Sequence, residues 1–279
     1  MTSDTTTAPT TAIASTSLPS VPATSFFSAF ANGVWAVWLR EFTVFKREKA
    51  RVISSLISPL MWIFFLGGGI GGAIDETALP PGVTSYGQFI YPGVIVMSII
   101  FSSLFFGFYI IWDRKIDVLR AVLVAPVPRT SIFFGKVLGG TTDVLLQSTL
   151  LMVLGIFLVG LSPLAVPVGL MVAFFAAVSM LSLGLAIGSL FQSTEGFQVL
   201  VTFLAFPMFF LSGALYPVDK APEWLKIVSY LDPATYAVDA MRWGLLGTGT
   251  FPLVADLGAM AGFTAAMVFF GTWAFSRMK

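Results

Sequence analysis

The sequence predicts an all-α integral membrane protein with six transmembrane helices. Of its 279 residues, 57% are hydrophobic and 10% are charged. A soluble domain carries about 25% charged residues, so this chain has too little charge to cover a water-facing surface. Mean hydropathy is +0.91. Uncharged runs recur between short charged stretches, several of them long enough to cross a hydrocarbon core of about 30 Å.

The same composition narrows function. There is no cysteine, hence no disulfide framework, thiolate nucleophile or iron–sulfur site. There is no histidine, which removes imidazole metal ligands, Ser-His-Asp triads and histidine proton relays. A net charge of +1 exerts no overall pull toward nucleic acid. Binding, movement or signalling in a membrane remains.

Residues 1–24 are rich in Thr, Ala, Ser and Pro with one charge, Asp4, and read as a disordered tail. They lack the basic start and apolar run of a signal peptide. Residues 25–51 read as an amphipathic interfacial helix. Phe26, Phe27, Phe30, Val34, Trp35, Trp38 and Phe42 recur at helical spacing, and Arg40, Glu41, Lys46, Arg47, Glu48, Lys49 and Arg51 crowd its second half. The alternative is the solvated start of the first span.

The membrane domain covers 52–279. Charges bound the spans at Val52–Ile74, about Phe89–Trp112, and Val137–Val159 with Asp143 inside it. From Val144 to Glu195 there is no charge. A straight helix of that length would reach roughly 75 Å, so it must fold back, at Leu161-Ser162-Pro163. The later spans are then Leu164–Phe191, Gly196–Tyr216 and Asp256–Phe275. Lysine and arginine number five in the N-terminal segment, five in the 113–136 loop and two at the C-terminus, against three in 217–251. That bias predicts both termini in the cytoplasm.

Two connecting segments carry candidate function. In 113–125, Asp113, Arg114, Asp117 and Arg120 share one helix face, and Ile116, Leu119 and Leu123 another. By spacing alone, a helix lying flat against a cytosolic partner and a loop that only sets topology fit equally well. The segment 217–251 is too charged to span and too apolar for plain loop. Pro222, Glu223 and Trp224 open one short helix, Asp232-Pro233 breaks it, and a second contains the i,i+3 pair Asp239 and Arg242. A re-entrant external gate fits this pattern; a static cap is the alternative.

Phe101, Phe105 and Tyr109, with Phe206 and Phe210, could line a translocation path or dimer seam, or simply face lipid. Small-residue steps at Gly67/Gly71, Gly68/Gly72, Ser103/Gly107 and Gly184/Gly188 permit close helix approach. Asp143 is the one carboxylate well inside a predicted span; with no histidine or second deep carboxylate to take its proton, a structural role is favoured. Gly135-Lys136 lacks the glycine spacing of a phosphate loop, so no nucleotide hydrolysis is expected on this chain.

Three motifs in order add a resemblance. They are Asp113-Arg114 through Leu123-Val124-Ala125-Pro126-Val127-Pro128-Arg129 with Gly135-Lys136; Phe209-Phe210-Leu211-Ser212-Gly213-Ala214-Leu215-Tyr216-Pro217 followed by Pro222, Trp224 and Leu225; and Asp232-Pro233-Ala234-Thr235-Tyr236 through Arg242. Over roughly residues 30–279 the chain resembles the ABC-2 type permeases, the membrane subunits of ABC exporters, and among them the daunorubicin-resistance and nodulation-factor branch. The resemblance implies the type V exporter fold in the cell (inner) membrane. It implies a homodimer of permeases on two copies of a separate ATPase, which holds ATP and Mg, with no cofactor on this chain. It makes 113–125 a coupling helix, with Asp113, Arg114, Asp117 and Arg120 facing the ATPase and Glu195 in a second contact. It makes Pro222, Trp224, Asp239 and Arg242 parts of an external gate. The cargo would be hydrophobic or amphipathic: a drug, lipid or glycolipid, or alternatively a lipid-linked glycan. Competing classes are an ion-coupled carrier, disfavoured by the lack of paired intramembrane charges, and a membrane enzyme, disfavoured by the lack of a catalytic constellation.

Overall fold

A computed structural model describes residues 26–73, 79–116 and 128–277. Among them the chain is helical and has no strand. Helix α1 (Phe26–Arg47) breaks at Glu48, and α2 (Lys49–Trp62) continues through a π-helical stretch, Ile63–Ile70, and a 3-10 turn, Gly71–Ala73. Then come α3 (Tyr86–Phe106), α4 (Phe108–Lys115), α5 (Arg129–Leu158), α6 (Val166–Leu190) and α7 (Thr194–Leu211). Two short helices follow, α8 (Glu223–Leu231) and α9 (Pro233–Leu246), and α10 (Leu253–Ser276) closes the description.

Among the described residues, five helical stretches are long and apolar enough to cross a bilayer: Tyr86–Lys115, Arg129–Leu158, Pro163–Leu190, Thr194–Leu211 and Leu253–Ser276. The first expected span is instead a shorter apolar helix, Ile53–Gly69. At about 1.5 Å per residue it reaches roughly 25 Å. Helix α5 begins eight residues before the expected Val137, at Arg129. It therefore takes in Lys136, which the sequence places in a charged loop.

Each helix end has a local cause. Ser85 and Ser193 accept from the amides of Gln88 and Gly196, capping α3 and α7. Asp232 caps α9 through the Ala234 amide at 2.9 Å. Gly247, at φ 73°, ends α9 in the left-handed conformation that glycine adopts at least cost.

The core lies where α3 and α6 meet, with α5, α9 and α10 around them. The approach is backbone to backbone. A Cβ on Gly184 would stand 2.6 Å from the Leu104 carbonyl oxygen, and one on Gly188 or Gly107 would collide with the opposite backbone. Thus Ser103/Gly107 and Gly184/Gly188 pack on each other, while Gly67 sets its backbone against Gly87, where an added Cβ would stand 3.1 Å from the Gly87 Cα. At Gly68 and Gly72 an added Cβ meets nothing within 4 Å. Toward the other end of α3, Tyr91 is fully buried and donates to the Leu151 carbonyl at 2.6 Å.

Gly184→Leu is expected to destabilise by about 3 kcal/mol or more, because no flexible side chain can yield. Gly68→Ala should stay within about 1 kcal/mol of wild type. Thermal unfolding in detergent, followed by tryptophan fluorescence, checks the contrast.

Candidate functional site

One end of the bundle gathers the basic residues. Helix α1 docks on the start of α5 because two glycines there leave room. Val37 Cβ lies 2.6 Å from where a Cβ of Gly135 would be, and Glu41 Cβ 2.5 Å from that of Gly139. Trp38 donates to Thr142 Oγ1 at 3.1 Å. Above this seat sit four charges. Arg40 holds Asp113 with both terminal nitrogens, at 2.7 and 3.2 Å, and reaches Glu41 at 3.0 Å. Lys136 Nζ lies 2.7 Å from Asp113 and 3.0 Å from Glu41. The Lys136 side chain is 2% exposed. Two cations against two carboxylates make the cluster neutral, which is the condition for burying it. The Asp113 carboxylate, bonded to Arg40, holds that guanidinium above its ordinary pKa.

This arrangement corrects one expectation. Asp113 does not belong to an outward charged face; it points inward, 5% exposed, because the last turn of α4 continues the span that precedes it. Arg114 is also engaged within the chain. It donates to the carbonyls of Ser189 and Phe191 at 3.1 and 3.0 Å, serving the acceptors that the C-terminus of α6 leaves open. Lys115 reaches Thr194 at 3.2 Å, and Thr194 bonds Glu195 at 2.8 Å. So the exit of α4 and the turn before α7, read separately from sequence, are joined. Arg129 lies 3.4 Å from the Ser276 carbonyl at the end of α10, placing that end here too. Asp117 and Arg120, with Leu119 and Leu123, lie outside the described residues.

The aromatic set comes together only in part. Phe210, Phe206, Phe101 and Phe105 form a ladder, with ring centroids 6.2, 5.0 and 6.4 Å apart. Phe206 and Phe210 are exposed on the surface of the chain. Tyr109 instead meets Phe106 at a tilt and Phe108 edge to face, and its hydroxyl approaches Glu48 at 3.5 Å. Beside the ladder are two hollows of about 260 and 220 Å³ that share Ser55, Ser102 and Gln147. Gln147 joins three helices, accepting from Ser102 at 2.9 Å and donating to the Ser55 carbonyl at 3.0 Å. Asp143 lines the larger hollow.

At the opposite end, Tyr86 donates to the Leu215 carbonyl and Ser229 to that of Leu211, which seats α8 and α9 on the spans. Pro222 and Trp224 are exposed, whereas Asp239 and Arg242 are buried. Arg242 lies over the Phe89 ring at 4.3 Å and donates to the Gly213 carbonyl at 3.0 Å. Burial lowers its pKa to about 10. Asp232, with one oxygen capping α9 and the other unpartnered, is raised by burial to about 7. Sequence reasoning missed the partnership of Arg40, Lys136 and Asp113, and it missed Asp256, which is fully buried in the first turn of α10. The available signal was position: each sits within a turn or two of a span end.

The described residues thus form a helical membrane bundle with a basic end, an amphipathic helix seated on it and an aromatic ladder partly exposed at its side. Residues 32–246 match the ABC-2 type transporter family, and the chain belongs to it. It is 30% identical over 241 residues to the inner membrane transport permease YadH of Escherichia coli (strain K12), covering 83% of this chain and 90% of that one. It is 28% identical over 228 residues to nodulation protein J of Rhizobium leguminosarum bv. viciae, covering 81% and 86%.

Lys136→Met should cost about 3–5 kcal/mol, since it strands two buried carboxylates on one guanidinium. Adding Asp113→Asn should recover part of that loss. Thermal unfolding of the two variants checks the non-additivity. For Asp232, the folded pKa lies above the ordinary 3.8, at about 7. Its contribution is therefore complete at low pH and is lost as pH rises toward about 7. Asp232→Asn keeps the capping oxygen, so melting temperature should become flatter over that range, read on the same instrument.

Proposed function

We propose that the chain is the membrane subunit of an ATP-driven exporter, working as a homodimer on two copies of a separate ATPase that binds ATP and Mg. Family membership supports the class. The observation that carries the coupling is the joint at the basic end. Arg114 and Lys115 tie the exit of α4 to the 189–194 turn, so two segments form one platform on the charge-rich side. The positive-inside bias makes that side, and both termini, cytoplasmic. In this reading the Ile53–Gly69 helix completes six spans by tilting little and drawing the bilayer thin around it.

Segment 113–125 is the coupling helix, with Asp117 and Arg120 toward the ATPase, Asp113 as its internal anchor and Arg114 tying it to the Ser189 and Phe191 carbonyls. Glu195 stands at the second contact. The 217–251 segment forms the external gate, with Pro222 and Trp224 at its surface and Asp239 and Arg242 inside. The Phe101, Phe105, Phe206 and Phe210 ladder, with Tyr109 below it, borders the path. An apolar wall beside a Ser and Gln seam suits an amphipathic cargo such as a drug, a lipid or a glycolipid.

Co-purification with the ATPase, with hydrolysis measured with and without the permease, tests the assignment. Arg120→Glu should weaken ATPase binding by about 2–5 kcal/mol, or uncouple hydrolysis from transport, while the permease still inserts and dimerises. Intact binding and intact transport in that variant would reduce 113–125 to a topology-setting loop.

A further inference from the structure

Beside the seat of α1 on α5 lies a hollow of about 500 Å³, larger than either hollow beside the aromatic ladder. Phe30, Val34 and Trp35 of α1, Leu138 and Leu145 of α5 and Phe174 of α6 line it. Its walls are apolar except for the indole N–H groups and two hydroxyls, those of Thr141 and Thr142. Thr142 is served: it accepts from Trp38 at 3.1 Å and donates to the Leu138 carbonyl at 2.8 Å. Thr141 is not. It is 2% exposed, and its hydroxyl has no hydrogen-bond partner among the described residues.

The rim toward the end of α1 carries charge of one sign. Ring contacts run from the hollow along that helix, Trp35 to Trp38 at 4.7 Å and Trp38 to Phe42 at 5.4 Å, and Lys46 Nζ then stands 4.6 Å over the Phe42 ring. Lys46 and Arg47 are both exposed. The acids of the same stretch are engaged elsewhere: Glu41 by Arg40 and Lys136, and Glu48 by the Tyr109 hydroxyl. Arg40 is held in turn by Asp113. The surface beside the hollow is therefore cationic. Trp35, 61% exposed, sets an amphipathic indole of the kind that suits a membrane interface at the mouth.

A hollow of this volume is in the range of small-molecule sites. Apolar walls gain nothing from water. An acyl chain gains dispersion contacts on both sides of such a cleft, and a cationic rim selects the head that the chain carries. We propose that the hollow between α1 and α5 holds one anionic phospholipid, its acyl chain between Phe30, Leu145 and Phe174, its ester region beside the Thr141 hydroxyl, and its phosphate beside Lys46 and Arg47. A second copy of this chain is the poorer occupant, because a self-complementary contact there brings the same two cations against this rim. The lipid adds to the Lys136 cluster a second fastening of α1, one that depends on membrane composition. The proposal rests on membrane insertion and not on the exporter reading; only the choice of the cytoplasmic leaflet follows from the charge bias.

Native mass spectrometry of the full chain in detergent, with phosphatidylglycerol and phosphatidylcholine as probes, tests this. The unaltered chain should retain one phosphatidylglycerol and hold it roughly tenfold more tightly than phosphatidylcholine. Ala31 lines the hollow from the exposed side of α1, so Ala31→Trp fills the space and should abolish retention. Lys46→Gln combined with Arg47→Gln should keep one lipid bound but bring the two probes to equal affinity. An unaltered chain that retains no phosphatidylglycerol overturns the proposal, whether or not any variant folds. Retention undiminished by Ala31→Trp overturns it, as does a preference undiminished in the Lys46 and Arg47 double variant. A dimer that Ala31→Trp splits without loss of lipid makes the hollow a subunit contact and overturns it too.

Discussion

A lysine ammonium sealed from water can exist only where its carboxylates already stand, and much of this molecule is arranged around that requirement. Lys136 is on α5, Asp113 at the end of the α3–α4 span, and Glu41 and Arg40 on α1. None of the three elements can shift without stranding a charge. The glycines at 135 and 139 let α1 come near enough for the contact to form. An amphipathic helix that could have floated at the interface is thereby made part of the bundle, and the ion cluster specifies where it sits.

The two ends of the bundle treat charge differently. At the basic end, two cations and two carboxylates cancel, and the guanidinium of Arg114 serves open carbonyls. At the other end, Arg242 answers Asp239 at 3.6 Å, while both oxygens of the buried Asp256 lack a hydrogen-bond partner among the described residues. Charge is thus matched pair for pair at one end and left uneven at the other.

The long helices were legible because crossing a bilayer is a demand on composition, and Tyr86–Lys115 and Leu253–Ser276 meet it. The two short helices of 217–251 were legible because Pro222 and Asp232-Pro233 punctuate them. Lys136 and Asp113 were not. A charge near a span end reads as the boundary of the span, and only the fold tells whether it faces water or another charge 23 positions away. Asp256 was misread for the same reason. The glycine steps show the limit from the other side: four looked alike, yet only the two on α3 and α6 face each other, and that pairing is a property of three dimensions.

The seam between α3 and α6 has a mechanical consequence. Where Gly107 meets Gly184 and Gly188, main chain rests on main chain with no side chain between. Side chains are the compliant layer of a protein, since they change rotamer and absorb small displacements. Without that layer the two helices hold each other firmly at this level, and neither can rotate or slide there without main chain meeting main chain.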